Sequence, residues 1–147
     1  MSNFTGAFSI TKFNDPITGK RLWTLNDDLR YYVGSENSDF YIDIKAGYCS
    51  DGGSLPRVAW MIDHPVGDGG PAYFIHDSLY QSKLLPRLQT DEILYEGLYV
   101  LDLNWCRRTL IYQSVRACGW YAWDQKTNEE ITEARKYVRV VKDGKLI

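Results

Sequence analysis

A histidine and an aspartate lie on two apolar helical stripes separated by a proline, and this constrains the fold more than any other feature of the chain. From Pro71, the residues Ala72, Ile75, His76, Leu79 and Tyr80 follow i, i+3, i+4, i+7, i+8 spacing, which predicts an amphipathic helix. Pro86 opens a second segment in which Asp91, Leu94, Tyr95 and Leu98 share a stripe. The stretch from His76 to Asp91 is long enough for one helix to end, turn at Leu84–Pro86 and return antiparallel. Packing the two stripes together then carries His76 and Asp91 into the interface. An unpaired buried charge is costly, so the carboxylate requires a partner, and the histidine is the natural one.

A third helix is expected from about Cys106 to Cys118, with Leu110, Ile111, Ser114, Val115 and Cys118 on one side and Gly119 as its stop. Upstream the periodicity changes to two. Phe40, Ile42 and Ile44 alternate with Tyr41, Asp43 and Lys45, and the runs Phe8–Phe13, Arg21–Leu25 and Leu29–Val33 are strand-like. Asp15-Pro16 with Thr18-Gly19, and Asn26-Asp27-Asp28, supply the turns between them. Between the two halves, residues 47–70 hold six glycines and two prolines with little periodicity. Leu55, Val58, Trp60, Met61 and Ile62 must nevertheless pack, which favours a functional loop over a linker. The expectation is an α+β protein, an N-terminal antiparallel β meander followed by a three-helix half. It reads as one domain, 1–147: β-rich 1–46, Gly-rich loop region 47–70, helical 71–123 and C-terminal tail 124–147. That tail begins as a polar helical turn from Asn128 and passes into a short VRVV strand.

Charge and composition narrow the function classes. Seventeen Lys plus Arg against nineteen Asp plus Glu give a net charge of −2, which argues against nucleic-acid binding by bulk charge and leaves a local basic patch open. No apolar stretch is long enough for a membrane span, and the start MSNFTGAFSI shows no export signal. Cys49, Cys106 and Cys118 form no CxxC motif and read as reduced, partly buried thiols. Aromatic residues make up 14% of the chain, enough for an aromatic-lined cleft or an interface besides the core.

The residues that could carry chemistry gather round the helical hairpin. A His76/Asp91 pair fixes the imidazole tautomer and presents a general base that can activate water. Asp77 projects about 100° round the helix from His76, towards the Gly-rich segment, where loop carbonyls beside a carboxylate suit a hard cation such as Ca²⁺. Asp51, Gly52 and Gly53, and alternatively Gly67-Asp68-Gly69-Gly70, are candidates for that loop, and Tyr73 and Tyr80 flank the dyad. A structural His–Asp hydrogen bond explains the same pair, a solvated or Arg-paired carboxylate explains Asp77, and a plain tight turn explains Asp51–Ser54. Both sets of readings stay open. Ser54 and Ser78 lack a nucleophile-elbow context, so a serine hydrolase is not expected. Arg116 is expected to anchor Asp91 or Asp77, and Arg87 to pair with Asp91 at i, i+4. Arg107 and Arg108 are expected in solvent, His64 in an exposed loop, and Trp120, Tyr121 and Trp123 over the core.

The ordered set Asp51-Gly52-Gly53-Ser54-Leu55-Pro56, His76-Asp77-x-x-Tyr80, Arg87-x-x-x-Asp91 and Tyr112-x-x-Val115-Arg116-x-x-Gly119-Trp120 resembles a domain family of unknown function. That family is found widely in tailed bacteriophages and prophages. The resemblance spans roughly Phe40 to Trp123 and implies a protein made in the host cytoplasm, with the virion as a further location. More distantly, the helices resemble those of bacterial and fungal phospholipases A2. That likeness implies His76 as the base for water, Asp91 as its orienter, Tyr80 as a brace and Asp77 as a Ca²⁺ ligand. It also implies a phospholipid substrate. The chain departs from the secreted phospholipases in lacking their framework of paired cysteines. The alternative from another class is a non-catalytic virion, tail or host-interaction protein, with other phage proteins as partners.

Overall fold

The computed structural model describes residues 3–147; Met1 and Ser2, with which the reading of the N-terminal segment begins, lie outside it. Among the described residues, two antiparallel sheets and five helices make up the α+β fold. The strands are β1 (Phe4–Thr5), β2 (Ile10–Asn14), β3 (Arg21–Leu25), β4 (Leu29–Tyr32), β5 (Tyr41–Ile44), β6 (Cys49–Ser50), β7 (Val138–Lys142) and β8 (Lys145–Leu146). The helices are α1 (Arg57–Trp60), α2 (Gly70–Ser82), α3 (Arg87–Val100), α4 (Trp105–Asp124) and α5 (Asn128–Ala134). One sheet has the order β1-β4-β5-β7-β8 and the other β2-β3-β6, so the expected meander is divided between two sheets.

Local chemistry explains the turns. In the β2–β3 hairpin the Asp15 carboxylate accepts from the Ile17 amide at 2.9 Å and from the Thr18 hydroxyl at 2.8 Å. Alternation then sorts the strands: Leu29 and Tyr31 on β4, and Ile42 and Ile44 on β5, turn inward. Val138 and Val140 of β7 join them, in register with Ile44 and Ile42.

Helix α2 runs through the middle of the molecule. Phe74, Ile75 and Leu79 pack into the core beneath the five-stranded sheet, while Ala72 and Tyr73 join a second core with Leu94, Leu98, Ile111 and Val115 of α3 and α4. A helix covered on both sides is apolar nearly all round, which is why the stripe read from spacing understates its burial. Its polar residues His76, Asp77 and Ser78 are therefore sealed inside the protein.

Helix α4 corrects two expectations. It continues through Gly119 to Asp124 instead of stopping there. Gly119 is a packing residue: a Cβ at this position would lie 2.7 Å from the Tyr80 hydroxyl. The buried face of α4 is Ile111, Val115 and Gly119, with Leu110 and Cys118 outside. Trp120 and Tyr121 are exposed, and only Trp123 of that trio covers the core side, edge-on to Tyr80. All three cysteines are free and exposed, because Cys49 lies at a sheet edge and the others on the outer face of α4. Among the described residues no helix is long and apolar enough to cross a membrane.

Candidate functional site

Successive residues of α2 point at different neighbours. His76 faces α3, and its Nε2 lies 2.7 Å from Asp91 Oδ1. The Tyr80 hydroxyl, one turn further on, donates to the same oxygen at 2.8 Å. Arg116 of α4 donates to Asp91 Oδ2 at 2.6 Å, and Arg87 stands 3.5 Å from that atom. Burial alone would raise the Asp91 carboxyl, but hydrogen bonds from His76, Tyr80 and Arg116 outweigh it and hold the group below the ordinary carboxylate range. An ionised carboxylate only accepts, so Nε2 carries a proton, and in the neutral imidazole Nδ1 is then the acceptor. Facing Nδ1 at 3.0 Å is the hydroxyl of Ser54.

The result is a buried chain, Ser54–His76–Asp91, with Tyr80 and Arg116 closing its far end. Ser54 is 1% exposed, and His76 and Asp91 are 0% exposed. Ser54 was not expected here. It follows two glycines in a loop of low periodicity, and no spacing rule links it to a helix twenty-two residues on. The one available signal is the Gly-Gly that lets the chain double back.

Asp77 turns the other way, under the Gly-rich segment. Its Oδ2 accepts from the Tyr48 hydroxyl at 3.0 Å, Ser50 at 2.8 Å and Gln81 at 3.0 Å, and its Oδ1 from the Ser54 amide at 3.3 Å. These donors are neutral, and the charges that act on the group are another carboxylate, Asp51, and more weakly Lys126. Burial first, and Asp51 second, push the Asp77 carboxyl above its ordinary range. The group fits a carboxyl held by hydrogen bonds. A Ca²⁺ ligand set requires lone pairs converging on one point, whereas here the donor hydrogens converge on the carboxylate, so the arrangement does not fit a resident cation. Among the described residues, no group of three or more His, Cys, Asp or Glu side chains could hold a metal ion.

The Asp51–Leu55 loop is shaped by its own contacts. Asp51 Oδ1 accepts from the Gly53 amide at 2.7 Å. Gly52 has φ +71°, and a Cβ there would crowd Pro65 and Trp60, so only glycine fits. Outside this loop lies a cleft of about 700 Å³, whose walls include Asp51, Gly53, Leu55, Arg57 and Trp60.

The burial of a third carboxylate, Asp63, was also unforeseen. It accepts from the Gly69 amide at 2.8 Å and the Tyr73 hydroxyl at 2.7 Å, and pairs with Arg107 at 3.3 Å. Tyr73 thus serves Asp63 and not the dyad, and Arg107 is an anchor for the Gly-rich loop instead of a solvated charge. His64 is exposed, edge-on to Trp23 and Trp60.

Residues 23–115 match the family model described as a protein of unknown function, DUF1353. The chain belongs to that family. The match takes in Ser54, His76, Asp77, Tyr80, Arg87 and Asp91, and stops one residue short of Arg116. No curated protein and no solved structure matches it.

Proposed function

We propose that the protein is an ester hydrolase in which His76, oriented by Asp91, is the general base. The observation that carries this reading is the polarity of the imidazole: Nε2 is fixed on Asp91, and Nδ1 is presented to a hydroxyl at 3.0 Å. In the proposed reaction Nδ1 takes the Ser54 hydroxyl proton as Oγ bonds to the ester carbonyl carbon. The imidazolium is stabilised by Asp91, which keeps its charge, and Nδ1 then passes the proton to the departing alkoxide. Water, deprotonated by the same nitrogen, releases the acyl group from Ser54. Tyr80 and Arg116 act only through Asp91. The reading replaces free water with Ser54 as the first acceptor and routes nothing through a metal. Because Ser54 and His76 are buried, this reading requires the Asp51–Leu55 loop to turn outward for substrate to reach Nδ1. Phospholipid stays among the candidate substrates, and a tailed-phage setting belongs to the same proposal.

Complete burial favours one second reading, a non-catalytic phage or host-interaction protein with a structural His–Asp pair. Turnover of soluble and phospholipid esters by wild type, Ser54→Ala and His76→Gln separates the two, with and without Ca²⁺ and with circular dichroism as the fold control. Loss of at least 100-fold in both variants is expected. Activity kept in Ser54→Ala but lost in His76→Gln would make water the acceptor. No turnover by folded wild type would leave the pair structural. A saturable Ca²⁺ heat lost in Asp77→Asn would restore the cation reading.

A further inference from the structure

The 700 Å³ cleft outside the Asp51–Leu55 loop carries a charge pattern at odds with the rest of the chain. In a protein with net charge −2, Lys20 and Arg21 from the β2–β3 hairpin and Arg57 from α1 converge on it. Among the described residues none of the three forms an ion pair with a carboxylate, whereas Arg30, Arg107, Arg116 and Arg139 all do. Asp15, the hairpin's own acid, has both oxygens engaged by Ile17 and Thr18. Arg57 lies 4.3 Å over the Trp60 ring, which holds its guanidinium in place without neutralising it. The cleft therefore presents cations that no described carboxylate ion-pairs, with Lys20 in the field of Asp15 and with Asp51 on the same wall, beside Trp23 and Trp60.

We infer that this cleft binds a phosphate-bearing ligand through Lys20, Arg21 and Arg57. Three cations from two elements match a group with several outward oxygens, and the arginine forks suit phosphate. Asp51, on the same wall, opposes the anion and limits its affinity. As a binding site the cleft stands by itself. As a substrate class, a phosphate-bearing ester whose carbonyl lies across the loop from His76, it rests on the hydrolase reading.

The test is titration of the full chain with inorganic phosphate and glycerol phosphate, followed by tryptophan fluorescence, against sodium chloride at matched ionic strength. A saturable change is expected for wild type. Affinity should fall at least 10-fold in Lys20→Met/Arg21→Met and in Arg57→Met, and rise several-fold in Asp51→Asn. The hairpin double variant decides if Arg57→Met misfolds. Vesicles with and without anionic phospholipid form a second arm. Vesicle binding displaced by soluble phosphate identifies a lipid headgroup as the source, and phosphate binding without vesicle binding identifies a soluble one. No saturable phosphate signal, or equal affinity in the charge variants, overturns the site. Ser54→Ala should retain phosphate affinity. If the cleft binds phosphate but wild type hydrolyses nothing, the hydrolase reading alone fails. If esters are cleaved without phosphate binding, the cleft alone fails.

Discussion

Two carboxylates closed to solvent, Asp91 and Asp77, meet opposite treatment. Asp91 lies between three helices and receives two arginines, a histidine and a tyrosine, and its acidity is strengthened. Asp77 lies under a loop and receives hydroxyls, an amide side chain and one backbone amide, with Asp51 as a charged neighbour, and its acidity is weakened. Neither side chain meets solvent, but Asp77 is the more densely enclosed, so depth and partners act together. The consequence is a division of labour: Asp91 is a permanent negative charge that orients His76, and Asp77 is a hydrogen-bonding post that shapes the loop carrying Ser54.

The largest expected effect is at the charged member. Asp91→Ala strands His76, Tyr80 and Arg116 together and should cost about 3–5 kcal/mol in urea denaturation, the range for breaking a buried charged pair. Gly119→Ala attacks the same region sterically, driving a methyl group against the Tyr80 hydroxyl. Overpacking of this kind should cost roughly 1–3 kcal/mol. Ser54→Ala leaves the buried Nδ1 of His76 without its partner and should cost about 1–3 kcal/mol, with a loss of turnover if the proposed reaction holds. Asp77→Asn exchanges one acceptor oxygen for a donor among donors and should cost about 1 kcal/mol at neutral pH, partly offset by removing a charge that burial disfavours.

Acid titration sharpens the contrast, because the two groups give opposite slopes. Asp91 has a folded value below its ordinary 3.8, so its stabilisation is full above that pH and is lost as pH falls through the folded value. Asp77 has a folded value above 3.8, so stability declines as pH rises from 3.8 through the folded value and levels off beyond it. On acidification wild type should gain on Asp77→Asn and then lose on Asp91→Asn. Parallel slopes for the two variants in urea melts across this range would dissolve the distinction.

The helical hairpin was legible because period 3.6 and Pro86 are local signals, and a carboxylate on an apolar stripe demands a partner wherever it lies. That logic reached His76–Asp91 and the part of Arg116. It did not reach Ser54 or Asp63, since both act through loops whose paths depend on non-local contacts: Gly52 against Trp60 and Pro65, Tyr73 against Asp63. Gly119 misled for a related reason. A glycine past an apolar run resembles a helix stop, and only the closeness of the Tyr80 hydroxyl reveals its steric purpose. The division of the strands into two sheets was likewise hidden, because alternation assigns faces and not neighbours.

The position of β7 bears on how the protein is made. It is an inner strand of the larger sheet, pairing with β5 across Tyr41–Ile44, although nearly a hundred residues separate them along the chain. During synthesis β5 leaves the ribosome with one edge open, and it stays open until Val138–Lys142 emerges, on the order of 5–20 s later at typical translation rates. Until then Ile42 and Ile44 lack the valines that pair across from them, and β5 keeps an unpaired edge.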